Sequence, residues 1–342
     1  MPRYISHEDL TFPQRRPLTK RPIILTTIFL LLLLLTISLS TLHPSSPLPS
    51  LSSLTPYTLT PNPLIPRRII TFSPSPTSQP STAPDTPLAL PALTWPARNP
   101  YHTHTRLTPN STLPYVKHRY AHRPDLVATY EATTSPDLRR AMARYLALAA
   151  DGGVWADEGT ECLVSIDLWT RGGGGAGSSG DAADAADAGR DPGRVGMVVG
   201  VGYDGRDGEG EGEEGRGWPV EFATWTVGSR GGHAVMEGVR ERVVGRVREG
   251  LEAVGREGGG EGEELVREVV GSKIFTEAVK EGIEKILGRE VDWKEFSMLE
   301  RPKIFGDVLV LPIDAFATGV AHSGARPEGN EMQLVRYEDR KQ

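Results

Sequence analysis

Residues 152–163 read GGVWADEGTECL and place several carboxylates at the end of a short apolar run. Asp157 follows the run directly, Glu158 and Glu161 come soon after it, and position 159 is a glycine. Carboxylate oxygens are the ligands that Mg²⁺ and Mn²⁺ prefer, so such a cluster can hold an ion against a phosphate-bearing substrate. The stretch is therefore a working metal site, a damaged one, or only a polar turn.

The elements around Asp157 predict that it lies at the ligand-binding edge of a sheet. Ser135 followed by Pro136 is a good helix start, and apolar residues then recur at three- and four-residue spacing. Gly152 and Gly153 end that helix, and VWA then reads as a strand. Open α/β sheets bind their ligands at the carboxyl ends of strands, which is where Asp157 would lie.

Strands and helices alternate along the rest of the chain, so the fold class is α/β with a mostly parallel sheet flanked by helices. The predicted elements are a buried strand at 195–203, an extended piece before a helix that starts near Ala234, helices at 263–270 and 274–287, and a strand within 307–318 that Pro312 ends.

Composition narrows the class of partner. The chain has 342 residues and a net charge of −6, which argues against nucleic acid as a partner. Its one cysteine, Cys162, excludes an intramolecular disulfide. No cysteine-protease signature accompanies it, so a buried thiol is favoured over a nucleophile.

Residues 23–42 are twenty uncharged residues, which as a helix would span roughly the 30 Å of a bilayer core. Basic residues precede the run, so the positive-inside rule keeps the N-terminus cytosolic and predicts a single-pass type II anchor. A cleaved signal peptide is the alternative.

Composition also divides the chain into regions. Segments rich in Pro, Ser and Thr follow the anchor and read as a stem, and two stretches rich in Gly, Asp and Glu read as disordered insertions. The predicted regions are a cytosolic tail at 1–22, the anchor at 23–42, a stem at 43–94 with a β-prone run at 64–72 that would form an edge strand, a lumenal domain at 95–336 with insertions at 170–194 and 204–217, and a tail at 337–342.

Several blocks of the chain resemble one known family. Residues 123–167 resemble a helix followed by GG-[VI]-[YW]-[SA]-D-x-D-T and LKPID, the core of fungal Golgi initiation-specific α-1,6-mannosyltransferases, glycosyltransferase family 32. VEFATWTVGSRGGHAVMEGV, GSKIFTEAV and RPKIFGDVLVLPIDAFATGVAHSGA are similar to later family segments, in the same order. IPRRIITF resembles the first strand of the family, so the resemblance runs from about Ile65 to Arg336.

The resemblance implies a GT-A-like, Rossmann-type fold and transfer of mannose from GDP-mannose to a glycan acceptor. It further implies a Golgi membrane protein with a lumenal catalytic domain and a complex with other mannosyltransferases. The metal would be Mn²⁺ or Mg²⁺, because an ion that bridges two phosphates neutralises the charge that develops on the leaving diphosphate.

Carried over by position, the family motifs match this chain only in part. Asp157 takes the place of the first Asp of D-x-D, and Gly159 takes the place of the second, which is a metal ligand in the family. The family's D-x-x-R falls on Ala141 and Arg144, so Arg144 would contact the donor sugar without its partner carboxylate. The predicted catalytic residues are Asp157 and Arg144.

Three other residues complete the predicted site. Trp155 is expected in the core of the sheet, or stacked on the nucleotide base beside Asp157 and Arg144. Glu161 would replace the missing metal ligand if the glycine turn redirects the chain, and His322 is a further candidate ligand. A plain alternative for Arg144 is a helix-surface ion pair.

Two functions from different classes fit these residues. The first is a glycosyltransferase of the Golgi. The second is a non-catalytic relative, which has lost the carboxylates at 141 and 159 and binds a nucleotide, a glycan or another transferase. Loss of most function is a third alternative.

Overall fold

The computed structural model describes residues 64–73, 90–171, 194–205, 219–257, 261–320, 323–327 and 329–337. The predicted tail and anchor at 1–42, most of the stem, and the greater part of both predicted insertions lie outside these ranges. Within them, no helix combines the length and the apolar character that a membrane crossing requires.

The described residues form strands and helices in alternation. The strands are β1 (Arg68–Phe72), β2 (Thr103–Leu107), β3 (Gly152–Ala156), β4 (Thr160–Cys162), β5 (Met197–Asp204), β6 (Val220–Phe222), β7 (Thr226–Arg230), β8 (Lys303–Phe305), β9 (Val308–Leu311) and β10 (Val335–Tyr337). The helices are α1 (Leu90–Arg98), α2 (Pro109–Arg119), α3 (Pro124–Ala132), α4 (Pro136–Ala150), α5 (Ala234–Glu257), α6 (Glu261–Val270), α7 (Lys273–Leu287) and α8 (Ile313–Phe316). Two 3₁₀ helices cover Ile166–Arg171 and Trp293–Glu295.

Eight strands form one sheet in the order β2-β1-β3-β7-β5-β9-β8, with β6 paired to β5. Strands β4 and β10 form a separate antiparallel pair. The first strand is confirmed, but the prediction that it forms an edge is wrong, because β1 lies between β2 and β3 and is parallel to both. The polar sequence of β2, THTRL, gives no strand signal, so the strand that covers β1 is missed.

The α/β class is confirmed, and five of the eight strands in the large sheet run in one direction. Strand β7 lies between β3 and β5 and is antiparallel to both, which the sequence pattern does not indicate. Strands β6 and β7 together run back along β5, as the second arm of a hairpin does.

Helix α4 begins and ends where the sequence predicts. The side chain of Ser135 accepts a hydrogen bond from the backbone N–H of Leu138 at 3.4 Å, and Pro136 occupies the first helical position. Residues 141–149 are all buried, so α4 presents little surface to solvent. This helix carries Ala141 and Arg144 to the sheet beside β3.

Several predicted boundaries differ from the structure. Helix α1 begins at Leu90, before the predicted domain start, and the side chain of Trp95 at its centre is fully buried. The prediction that Asp204 opens a disordered insertion is wrong, because Asp204 is the last residue of β5. At the other end of the chain, β10 extends to Tyr337.

Two glycines allow β3 to lie close to the neighbouring strands. Gly152 and Gly153 are the first residues of β3 and have φ of 70° and 117°, which L side chains rarely adopt. A Cβ at Gly153 would lie 2.6 Å from the carbonyl oxygen of Arg68 in β1. Both glycines therefore permit β3, which begins directly after α4, to pair closely with β1 and β7.

We expect Gly153→Ala to destabilise the domain by at least about 1–3 kcal/mol, because it adds strain at a positive φ and a clash with backbone. The measurement is the free energy of unfolding in urea. Gly238→Ala is the matched control: Gly238 lies inside α5 with open space around it, so the same change should stabilise by up to about 1 kcal/mol. Equal effects of the two changes would contradict the prediction.

Candidate functional site

Asp157 lies directly after β3, and its carboxylate is held by two side chains. Nη2 of Arg144 donates to Oδ2 of Asp157 at 3.3 Å, and Nε1 of Trp155 donates to Oδ1 at 2.9 Å. The Asp157 side chain is 16% exposed, whereas that of Arg144 is 2% exposed. The carboxylate thus lies at the surface end of a buried pair.

The backbone at Asp157 forms a tight turn that fixes the carboxylate in place. The N–H of Asp157 donates to the carbonyl oxygen of Trp225 at 2.9 Å, and its carbonyl accepts the N–H of Thr160 at 2.9 Å. Glu158 and Gly159 are the central residues of this turn. The stretch is therefore a polar turn that presents a fixed carboxylate.

Arg144 is a buried cation, so the alternative of a surface ion pair is wrong. Its guanidinium carbon lies 5.5 Å from the ring centroid of Tyr145 and 5.8 Å from that of Trp155. Burial acts to lower the pKa of Arg144, but the charge of Asp157 and the Tyr145 hydroxyl outweigh it and raise the pKa. Arg144 stays charged at every physiological pH.

Glu131 and Asp151, two acidic residues at most thirteen positions from Arg144 in sequence, bind other cations. Glu131 forms an ion pair with Lys117 at 3.0 Å. Asp151, the residue after α4, binds Arg68 and Arg119, each at 2.8 Å. Neither carboxylate is therefore committed to the guanidinium of Arg144.

Ala141 lies one helical turn before Arg144 and is buried. Nε and Nη1 of Arg144 are also buried and have no hydrogen-bond partner of good geometry among the described residues. A carboxylate at position 141 would lie on the same face of α4, at the spacing that brings side chains together. The alanine thus leaves part of the guanidinium unsatisfied.

The Trp155 ring is fully buried in the sheet. It has no exposed face on which a nucleotide base could stack, so the expectation of a core residue is the one that the structure supports. Its contribution to the site is the N–H that it donates to Asp157.

The structure does not bring Glu161 to Asp157. Glu161 lies on β4 opposite Arg336 on β10, and Nη1 of Arg336 donates to its carboxylate at 2.7 Å. Its carboxylate is therefore already neutralised. His322, the other candidate ligand, lies outside the described residues.

The described residues do not fit a protein-held Mn²⁺ or Mg²⁺ site. Such an ion takes about six oxygen ligands, and no group of three His, Cys, Asp or Glu side chains suited to a metal occurs in the described ranges. Gly159 has no side chain and Glu161 is bound to Arg336, so Asp157 is the one predicted ligand in the described ranges with lone pairs left for an ion.

Cys162 behaves as the structural thiol that the sequence favours. It is buried, and Nδ2 of Asn99 donates to its sulfur at 3.4 Å. Burial, as the main cause, raises the pKa of the Cys162 thiol to about 11, so the thiolate is rare at neutral pH.

The sequence reasoning missed Asp204, which lies at the end of β5. Its carboxylate accepts hydrogen bonds from Oγ of Ser297 at 2.7 Å and from the N–H of Met298 at 2.6 Å. The sequence does indicate this residue, because an apolar run that ends in an aspartate is the same pattern that singled out Asp157. The glycine-rich residues that follow Asp204 led to its assignment to the insertion.

We expect Asp157→Ala to lower the free energy of unfolding by about 3–5 kcal/mol, because it leaves the buried Arg144 charge without a partner. Glu161→Ala is the control: both members of its ion pair are partly exposed, so its loss should cost less than about 1 kcal/mol. Urea denaturation measures both variants. Similar values for the two would show that Arg144 does not depend on Asp157.

No family model matches this chain. Individual relatives do match. The initiation-specific alpha-1,6-mannosyltransferase of Candida albicans is 25% identical over 265 residues, which cover 71% of this chain and 63% of that protein. The protein of the same name from Schizosaccharomyces pombe is 25% identical over 208 residues, 61% of this chain and 47% of that protein.

The chain thus spans about half to two thirds of the length of these relatives. Among solved structures, the PaToxG glycosyltransferase is 12% identical, with a TM-score of 0.37 over 65% of this chain and 71% of that one. The two named relatives support the resemblance of the sequence blocks: the chain is similar to the initiation-specific alpha-1,6-mannosyltransferases over 61–71% of its length.

Proposed function

We propose that this chain is a glycosyltransferase that transfers mannose from GDP-mannose to a glycan acceptor. The observation that carries the proposal is the Asp157–Arg144 pair at the carboxyl end of β3, in a relative of mannosyltransferases. Of these two residues, only Asp157 has surface open to a ligand.

Asp157 has the capacity to bind a donor. Each carboxylate oxygen can accept two hydrogen bonds, and the contacts with Arg144 and Trp155 use one on each. The remaining lone pairs suit the hydroxyl groups of a ribose or a sugar. Because the carboxylate is already oriented, binding such hydroxyls costs little reorganisation.

Arg144 sets the electrostatics beneath that carboxylate. Departure of a nucleoside diphosphate places negative charge at the site, and a fixed cation in a water-excluded setting stabilises such charge. The Arg144 guanidinium is fully buried beside Asp157. Because the described residues do not fit a metal, no step is assigned to one.

The alternative of a non-catalytic binding subunit is favoured by one observation. Positions 141 and 159 lack the carboxylates that the resemblance implies, and the two predicted ligands that the structure describes, Asp157 and Glu161, are paired with Arg144 and Arg336. Such a protein would bind the nucleotide or the glycan without turnover.

Release of GDP separates these two functions. We expect the purified full chain to release GDP from GDP-mannose in the presence of a mannan acceptor, and Asp157→Asn to reduce the rate at least about tenfold by weakening donor hydrogen bonds. Asn preserves the shape of the side chain, and Glu161→Gln is the control that should retain activity. Binding of GDP without any release would favour the non-catalytic subunit.

The Mn²⁺ or Mg²⁺ requirement that the resemblance implies is tested by restoring a carboxylate. We expect Gly159→Asp to tighten binding of Mn²⁺ in the presence of GDP at least about tenfold, because it supplies a second oxygen ligand beside Asp157. Isothermal titration with and without EDTA measures the affinity, and Gly159→Asn controls for the added bulk. Tight Mn²⁺ binding by the unaltered chain would show that ligands outside the described residues complete the site.

The location of the protein is also proposed from its sequence: a Golgi membrane protein of type II, anchored by residues 23–42 and in complex with other mannosyltransferases. In sealed microsomes, we expect protease to remove an N-terminal tag and to spare a C-terminal tag. A chain shortened by cleavage after residue 42 would favour the signal peptide instead.

A further inference from the structure

A cavity opens at the edge of the sheet where the carboxyl ends of the parallel strands lie, the edge that also carries Asp157. Strands β3, β5 and β9 run in one direction, so their carboxyl ends lie together. Asp204 ends β5, and Asp314 follows β9 in the first turn of α8. Both line a cavity of about 730 Å³, within the range of small-molecule sites.

The two aspartates build the walls of this cavity. Asp204 accepts the N–H of Met298, the one non-glycine residue with positive φ in the described ranges, at 52°. Asp314 accepts the backbone N–H of Arg326 at 2.6 Å and its Nε at 2.5 Å. Each carboxylate is 6–7% exposed and fixes the loop that faces it.

The surfaces left for a ligand are of two kinds. The apolar side chains of Met298, Leu299, Ile313 and Met332 line one part of the cavity. The side chains of Glu300 and Glu331 also line it, are exposed, and interact electrostatically with Arg326, whose Nε donates to Asp314.

This combination selects a class of ligand. Apolar side chains suit the C–H faces of a sugar ring, and exposed carboxylates accept hydrogen bonds from its hydroxyl groups. An anionic ligand would be repelled, because the described residues that line the cavity include four carboxylates and two arginines. A neutral, polyhydroxylated chain fits these charges.

The cavity is also placed to serve the donor site. In the sheet, β7 is the one strand between β3 and β5, so these two strands lie about 10 Å apart, and β5 extends further beyond β7 than β3 does. Trp225 connects the two places: its carbonyl accepts the N–H of Asp157, and its Nε1 donates to the carbonyl of Phe316, the last residue of α8, at 2.9 Å.

We propose that the cavity between the carboxyl ends of β5 and β9 binds the acceptor glycan. The inference rests on the proposed function, because it supplies the second substrate of that reaction. Glu300 and Glu331 receive the hydroxyl groups of the glycan, and the apolar lining supports its rings.

The test measures the Kd of a mannose trisaccharide for the purified full chain by NMR titration. We expect the double variant Glu300→Gln/Glu331→Gln to raise the Kd of the trisaccharide about tenfold, through loss of charged hydrogen bonds, and to leave the Kd of GDP within twofold. Glu290→Gln is the matched control, because Glu290 is exposed and does not line the cavity. Met332→Trp should fill the cavity and also block the trisaccharide.

The outcomes separate this inference from the proposed function. Trisaccharide binding that the cavity variants weaken supports the acceptor site even if no mannose is transferred. Transfer with an unchanged acceptor KM in the cavity variants overturns the acceptor site and leaves the function standing. The inference is also overturned if the unaltered chain binds no trisaccharide, or if a lysine-rich peptide competes for the cavity and the sugar does not.

Discussion

The buried ion pair between Arg144 and Asp157 is the constraint on which the site depends. Transfer of a guanidinium out of water costs several kcal/mol unless a charge and hydrogen bonds compensate for it. Asp157 supplies the charge, and the rings of Tyr145 and Trp155 supply a polarisable lining. Because Arg144 belongs to α4 and Asp157 follows β3, the pair also fixes the helix against the strand.

The two positions at which this chain departs from the family pattern change the charge balance of the site. With carboxylates at 141 and 159, the site would hold three negative charges and the one positive charge of Arg144, an excess that a divalent cation neutralises. In this chain Ala141 and Gly159 leave one charge of each sign. The pair is thus balanced by the protein alone, and a carboxylate at either position would need a further cation.

The sequence predicted local structure well and nonlocal pairing poorly. The start of α4 follows from Ser135 and Pro136, whose preferences act within one turn. By contrast, β1 becomes an inner strand only because the polar strand β2 pairs with it, and β7 enters the sheet through residues far away in sequence. Arg144 lies in α4, and the spacing of the apolar residues in that helix does not reveal that all of residues 141–149 are buried. Its burial therefore depends on packing that local patterns do not encode.

The parallel strands explain why one edge of the sheet carries more than one site. Parallel strands align their carboxyl ends, and each end is a place where the chain leaves the sheet and polar side chains become available. Asp157 and Asp204 occupy equivalent places on β3 and β5, yet one is paired with a buried cation and the other holds a loop. Because β7 runs in the opposite direction, its first residue, Thr226, pairs with Ala156 at the end of β3, whereas the end of β5 pairs with β6. Trp225 precedes β7 at this point, and its two hydrogen bonds, one from the N–H of Asp157 and one to the carbonyl of Phe316, tie the turn at Asp157 to α8, whose first turn carries Asp314.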